Sequence, residues 1–240
     1  MARLKVDDVV LDGPAGGVPA YVVEPGGRTP KAGVLFAHWL GEDRSDRTQF
    51  LAEARRLAGA GVRSVLPAGR LPWEVPPSAA EADAAAIETE IGRLGQALDA
   101  LAAGLPAGAP LAFVGHDFGA MAGSIVAART GRLAAVVLIA LSPRWGDWFL
   151  PFWPIAGDRH EYLRRLAPLD PIEAVRSIRA PLLFQFSRPD FYISGMTAIE
   201  LARAAPGEPT VEWYAADHAM RSPRARASRR AFLERALQLG

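Results

Sequence analysis

Apolar and polar positions alternate along the chain in two rhythms. Val6–Leu11 and Pro19–Val23 read as strands, joined by the turn-rich "DGPAGGV" into an opening hairpin. From Gly33 onward, short apolar runs take turns with helical patterns. Gly33–His38, Val62–Leu66, Leu111–Val114, Ala134–Leu141, Leu182–Phe186 and Thr210–Tyr214 are the predicted strands. Between them, Asp46–Ala60 carries Phe50, Ala54, Leu57 and Ala58 at helical spacing, with Ser45 as its expected cap. The stretch "PPSAAEADAAAIETEIGRLGQALDALAAG" is a long helix, opened by a Ser78/Glu81 capping box and stopped at Gly104. Ala120–Ala128 is a small-residue helix, Ile199–Ala205 another helix, and "PRARASRRAFLERALQLG" a last one.

Strands alternating with helices predict an α/β fold: a mostly parallel central sheet covered by helices on both faces. A chain of 240 residues fits one such domain. One stretch breaks the rhythm. Residues 142–180, "SPRWGDWFLPFWPIAGDRHEYLRRLAPLDPIEAVRSIRA", are rich in aromatics and proline and predict a short lid-like insert.

Composition narrows the chemistry. Half the residues are hydrophobic and 22% are charged, as in a globular protein with a large core. The net charge is +1, so no bulk attraction to nucleic acid or anionic membrane is expected. Cysteine is absent, which removes disulfides, thiolate metal sites and a thiol nucleophile. The four histidines have no ligand-like spacing, so no metal or other cofactor is predicted. The arginines of "RSPRARASRR", at 224, 226, 229 and 230, read as the solvated face of the last helix. The opening "MARLKVDDVV" lacks a signal peptide's apolar core, and the longest apolar run, residues 133–141, is far too short for a membrane span. The expected location is cytoplasmic.

The candidate chemistry centres on "GHDFG" at 115–119, between a buried strand and a small-residue helix. Its glycine spacing is that of a nucleophile elbow, G-x-S-x-G, with Asp117 in place of serine. Partners then follow in the order acid, histidine: Asp190 just past one strand and His218 past the next, with Asp147 as the fallback acid. "FAHWLG" closes the first long strand and nominates the backbone amides of Trp39 and Phe118 as an oxyanion hole, with His38 bracing that loop.

This pattern resembles the α/β-hydrolase superfamily over essentially the whole chain. "GHDFG" looks like the elbow of its aspartate-nucleophile branch, the epoxide hydrolases and haloalkane dehalogenases. The compact build and the ending "WYAADHAM" look more like the dienelactone-hydrolase group. The resemblance implies a hydrolase acting on a small organic molecule with water. A carboxylate is already ionised at neutral pH. It would attack a saturated carbon directly, giving an alkyl ester that a His218–Asp190 pair hydrolyses. An epoxide oxygen would take a proton from Tyr162 or Tyr192; a halide would settle on the indole N–H of Trp39, Trp145, Trp148 or Trp153. Phe118 stands where dehalogenases carry tryptophan, which favours the epoxide. The alternatives are ester or lactone hydrolysis, or a lyase reaction, with Asp117 as general base, and an inactive binding scaffold.

Overall fold

The computed structural model describes residues 4–40 and 47–239. Its eight strands are β1 (Leu4–Leu11), β2 (Val18–Pro25), β3 (Ala32–Ala37), β4 (Val62–Pro67), β5 (Leu111–His116), β6 (Ala135–Ile139), β7 (Leu182–Ser187) and β8 (Thr210–Tyr214). They form one sheet in the order β1-β2-β4-β3-β5-β6-β7-β8. The predicted opening hairpin is there: β1 pairs antiparallel with β2, and β2 antiparallel with β4. Every other pairing is parallel.

Burial explains why the inner strands read as unbroken apolar runs. Each residue of β3, β5, β6 and β7 is buried, because helices cover both faces there. The edges differ: β1 alternates charged and apolar positions, and β8 is half-exposed. Charged residues on an edge strand discourage pairing with another chain.

Eight α-helices accompany the sheet among the described residues: α1 (Leu51–Gly59), α2 (Ala80–Ala103), α3 (Phe118–Thr130), α4 (Trp145–Phe152), α5 (Arg159–Leu166), α6 (Pro171–Val175), α7 (Gly195–Ala204) and α8 (Pro223–Ala236). The first is shorter than its periodicity suggests, because residues 47–50 form a turn; Ser45, its expected cap, lies outside the described residues. The Ser78/Glu81 capping box does not form. Ala79 takes the cap position, one residue after Ser78, and the Asp83 carboxylate accepts the Ser78 amide at 2.9 Å. Glu81 instead accepts from Arg165 of α5 at 2.8 Å.

The aromatic-rich stretch also departs from a plain lid. It folds into α4, α5, a 3₁₀ turn at Ala167–Leu169 and α6. Tyr162 is buried and donates to Asp83 of α2 at 2.5 Å, and the Ala156 amide donates to Ser78 O at 2.8 Å. Most of the insert is therefore wall, tied to α2. Only α4 overhangs the carboxyl ends of the strands near Asp117, through Trp148 against Phe118.

The strand order places the site. The chain runs from β3 to its neighbour β4, then returns to β3's other side as β5 and continues to β8. The direction reverses between β3 and β5, and in open α/β sheets ligands bind beyond the carboxyl ends of the strands at such a reversal. Asp117 follows β5; His38, Trp39 and Leu40 follow β3.

Candidate active site

Asp117 sits at φ 54°, ψ −122°, left-handed backbone that a non-glycine residue rarely adopts. Such strain persists only where the surroundings impose it. Here the Asp117 amide donates to Ile139 O of β6, and its carbonyl accepts from Met121 as α3 begins. The flanking glycines make the turn possible. A Cβ on Gly119 would lie 2.4 Å from the backbone oxygen of His38, and one on Gly115 would lie 2.7 Å from Ala120 Cα. Further along, Gly123 lets the ring of Phe113 press onto α3. The small residues of α3 thus let it lie close on β5 and lift Asp117 above the sheet.

The Asp117 carboxylate is buried. Its Oδ2 accepts from the Leu40 amide at 3.3 Å, while Oδ1 has no partner. His218 Nε2, also buried and unpartnered, stands 3.8 Å from Oδ1. That gap is too long for a direct hydrogen bond. On the ring's other side Nδ1 meets Asp190 Oδ2 at 3.0 Å. Asp190 is held in turn by the Ser187 hydroxyl at 2.7 Å and by the amides of Tyr192 and Ile193.

Electrostatics follow from this sandwich. Burial works to discharge His218, but the negative charge of Asp117 and the hydrogen bond and charge of Asp190 outweigh it and raise its pKa to about 9. Burial would raise the Asp190 pKa; the hydrogen bond and charge of His218, with Ser187 and the Tyr192 amide, hold it down at about 2. His116, fully buried, is driven well below its ordinary value by desolvation and by the charge of His218. It is a neutral ring.

The oxyanion loop differs from expectation in one respect. The Trp39 amide is already engaged, donating to Gln49 Oε1 at 2.8 Å, so among the described residues the amide of this loop that meets Asp117 is that of Leu40. Phe118 opens α3, and its amide is one of the helix-start N–H groups that have no intrahelical acceptor. His38 braces the loop: its Nδ1 lies 2.5 Å from Trp39 O, and its Nε2 accepts from the Gly69 amide at 2.8 Å. It also lines a cavity of about 20 Å³ beside Glu90, Phe118 and Gly119, room for about one water.

The aromatic candidates divide sharply. Trp145 is fully buried with its indole N–H donated to Leu169 O at 2.8 Å, and Tyr162 is committed to Asp83; neither can serve a leaving group. The Trp39 ring stacks on His116, 5.5 Å between centroids. Trp153 packs edge-on against Phe149 and Phe152. Three candidates do meet His218: Trp39, tilted at 6.4 Å, Tyr192, edge-on at 4.9 Å, and Trp148, edge-on at 5.7 Å, whose buried indole N–H has no partner. Asp147, the fallback acid, is half-exposed on α4 and ion-pairs with Arg144 at 3.6 Å, so it is not the partner of His218. Leu40, Gln49 and Ser187 carried no signal in the sequence; each acts through a contact made only in the fold.

No family model matches the chain, and no curated protein matches it in sequence. Solved structures do match in shape. The esterase domain of a Rhodothermus marinus protein covers 97% of this chain and 98% of its own length, at 19% identity and a TM-score of 0.71. A candidate dienelactone hydrolase from Klebsiella pneumoniae covers 98% and 99%, at 17% identity and 0.69. An acetyl xylan esterase from Paenibacillus sp. R4 covers 98% and 89%, at 17% identity and 0.72. At such identities the likeness is one of architecture, and with the elbow after β5 it supports one conclusion: this chain has the α/β-hydrolase fold.

Proposed function

We propose that the protein is a hydrolase of small uncharged electrophiles, epoxides foremost, that works through an alkyl ester on Asp117. The observation that carries this reading is the strained backbone at Asp117, with its Oδ1 buried, unpartnered and 3.8 Å from His218 Nε2. Oδ1 attacks a ring carbon of the epoxide. The carbon–oxygen bond breaks, and the departing oxygen takes the phenolic proton of Tyr192. Trp148 offers its unpartnered N–H to the same departing atom, and would serve a halide equally.

Ester formation removes one of the two negative charges facing His218, so its pKa falls from about 9 toward the ordinary range; the ring gives its proton to the Tyr192 phenolate and becomes a base. Water gives a proton to Nε2 and attacks Cγ of Asp117. The negative charge then gathers on Oδ2, which already accepts from the Leu40 amide, with the Phe118 amide as second donor. Collapse expels the second alcohol oxygen, which takes the proton from His218. The remaining carboxyl proton passes to His218, giving diol and free enzyme.

A second reading has its own support. The solved structures of similar shape are named as esterases and as a candidate dienelactone hydrolase. In that reading Asp117 acts as general base for water attacking an ester or lactone. Direct attack by Asp117 on such a carbonyl would give a mixed anhydride, so no acyl-enzyme is expected. A single turnover in heavy-oxygen water, followed by mass measurement of the peptide carrying Asp117, separates the two. Label in that carboxylate is the expected result; label confined to product establishes the general-base route instead.

A further inference from the structure

Rings lead without a break from solvent to the imidazole. Phe191 is 87% exposed and meets Tyr192 at 5.1 Å. Tyr192 and Phe152, each 48% exposed, meet at 5.8 Å. Both rest on Trp148, only 5% exposed, at 4.9 and 5.6 Å; Trp148 then meets Phe118 at 5.2 Å and His218 at 5.7 Å. The Tyr192 and Trp148 rings are stacked, with 27° between their planes. The arginines flanking the site along the chain are committed. Arg144 pairs with Glu200, Arg221 pairs with Asp217, and the guanidinium of Arg188 lies 3.9 Å over the Trp213 ring.

We infer that the substrate is a neutral molecule bearing an aromatic ring, and that this ring enters between Phe152 and Trp148 and packs on both, beside Tyr192. The inference rests on the reading above and supplies its substrate class. Asp117 and His218 are buried, and the cavity behind Phe118 holds about 20 Å³, so a substrate must take space the rings now fill. An aryl group replaces the ring contacts it breaks; a saturated ring of the same size loses the quadrupole geometry that aromatic pairs gain. A carboxylate would be drawn from water into an apolar cleft that already holds two carboxylates, with Arg144, Arg188 and Arg221 each engaged elsewhere.

The test uses unreactive ligands, so it stands whatever the reaction proves to be. Phenylacetamide, cyclohexylacetamide and phenylacetate are titrated against the protein by tryptophan fluorescence, with Phe152→Ala and Phe191→Ala alongside. Phenylacetamide should bind several-fold more tightly than the other two, and Phe152→Ala should weaken it by about three- to tenfold, the worth of one aromatic pair. Phe191→Ala should weaken it less. Equal binding of the phenyl and cyclohexyl amides, tighter binding of phenylacetate, or a solution dimer dispersed by Phe191→Ala would each overturn the inference. Styrene oxide and cyclohexyloxirane are then compared as substrates. Aryl preference in binding with ester turnover and no epoxide or haloalkane turnover would sink the reaction assigned above and leave the aromatic cleft standing. Epoxide turnover without aryl preference would do the reverse.

Discussion

Replacing His218 separates the two halves of the proposed cycle. Asp117 needs no base to attack, so His218→Gln should still form the ester and fail to release it. Intact-mass measurement should find about one covalent equivalent per chain with an epoxide, against none for Asp117→Asn, whose turnover should fall by about a thousandfold or more. The same histidine makes stability depend on pH. Its folded pKa of about 9 lies above the unfolded value of about 6.5, so its contribution is complete below pH 6.5 and is lost as pH rises through 9. Asp190 works in the opposite sense: its contribution is present above about pH 4 and is lost as pH falls through about 2. Thermal melts of His218→Gln should therefore lack the decline that the parent protein shows between pH 6.5 and 9. At this scale, Asp117, Asp190 and His218 were legible because order along the chain and place after a strand are properties of sequence. That the Leu40 amide, rather than that of Trp39, faces the carboxylate was not legible. It depends on Gln49 capturing Trp39, a choice between adjacent amides made by loop conformation.

Elements were read well where burial is uniform and poorly where a side chain from elsewhere decides. The four inner strands announced themselves as apolar runs, since both their faces are covered. The start of α2 did not, because Asp83 takes the Ser78 amide that a capping box would give to Glu81. Tyr162 looked available for chemistry as an aromatic in the insert, yet it belongs to the α5–α2 seam. Tyr162→Phe removes a buried donor from Asp83, which keeps only its bonds from the Ser78 amide. It should cost about 1–3 kcal/mol in urea unfolding while leaving turnover unchanged. The elbow is less forgiving. Gly119→Ala would force a methyl group against the backbone of the β3 loop, and both stability and activity should be lost.

Across the molecule, the ends of the chain are joined through charge. Arg229 of α8 is buried, where its arginine-rich surroundings suggested a solvated face. It donates to both carboxylate oxygens of Glu53 on α1 and, at 2.5 Å, to Gln185 Oε1 in β7. Arg224, Arg226 and Arg230 of that run are exposed as expected. Spacing could not single out Arg229, because a helix face is assigned by what packs on it. Arg229→Met strands a largely buried Glu53 carboxylate and should cost about 3–5 kcal/mol, measured by urea unfolding. No helix among the described residues is long and apolar enough to cross a membrane.

The neutral ring of His116 has a consequence for how this protein could be changed. Its Nε2–H donates to the carbonyl of His218, its Nδ1 accepts from the Gln49 amide, and Gln49 in turn receives the Trp39 N–H. Every donor in that series points the same way, from the β3 loop toward the histidine loop. Reversing one member would set two donors or two acceptors face to face. The loop beside Asp117 and the loop carrying His218 are therefore held in common register, and a redesign that moves either loop must rebuild Gln49 and His116 together.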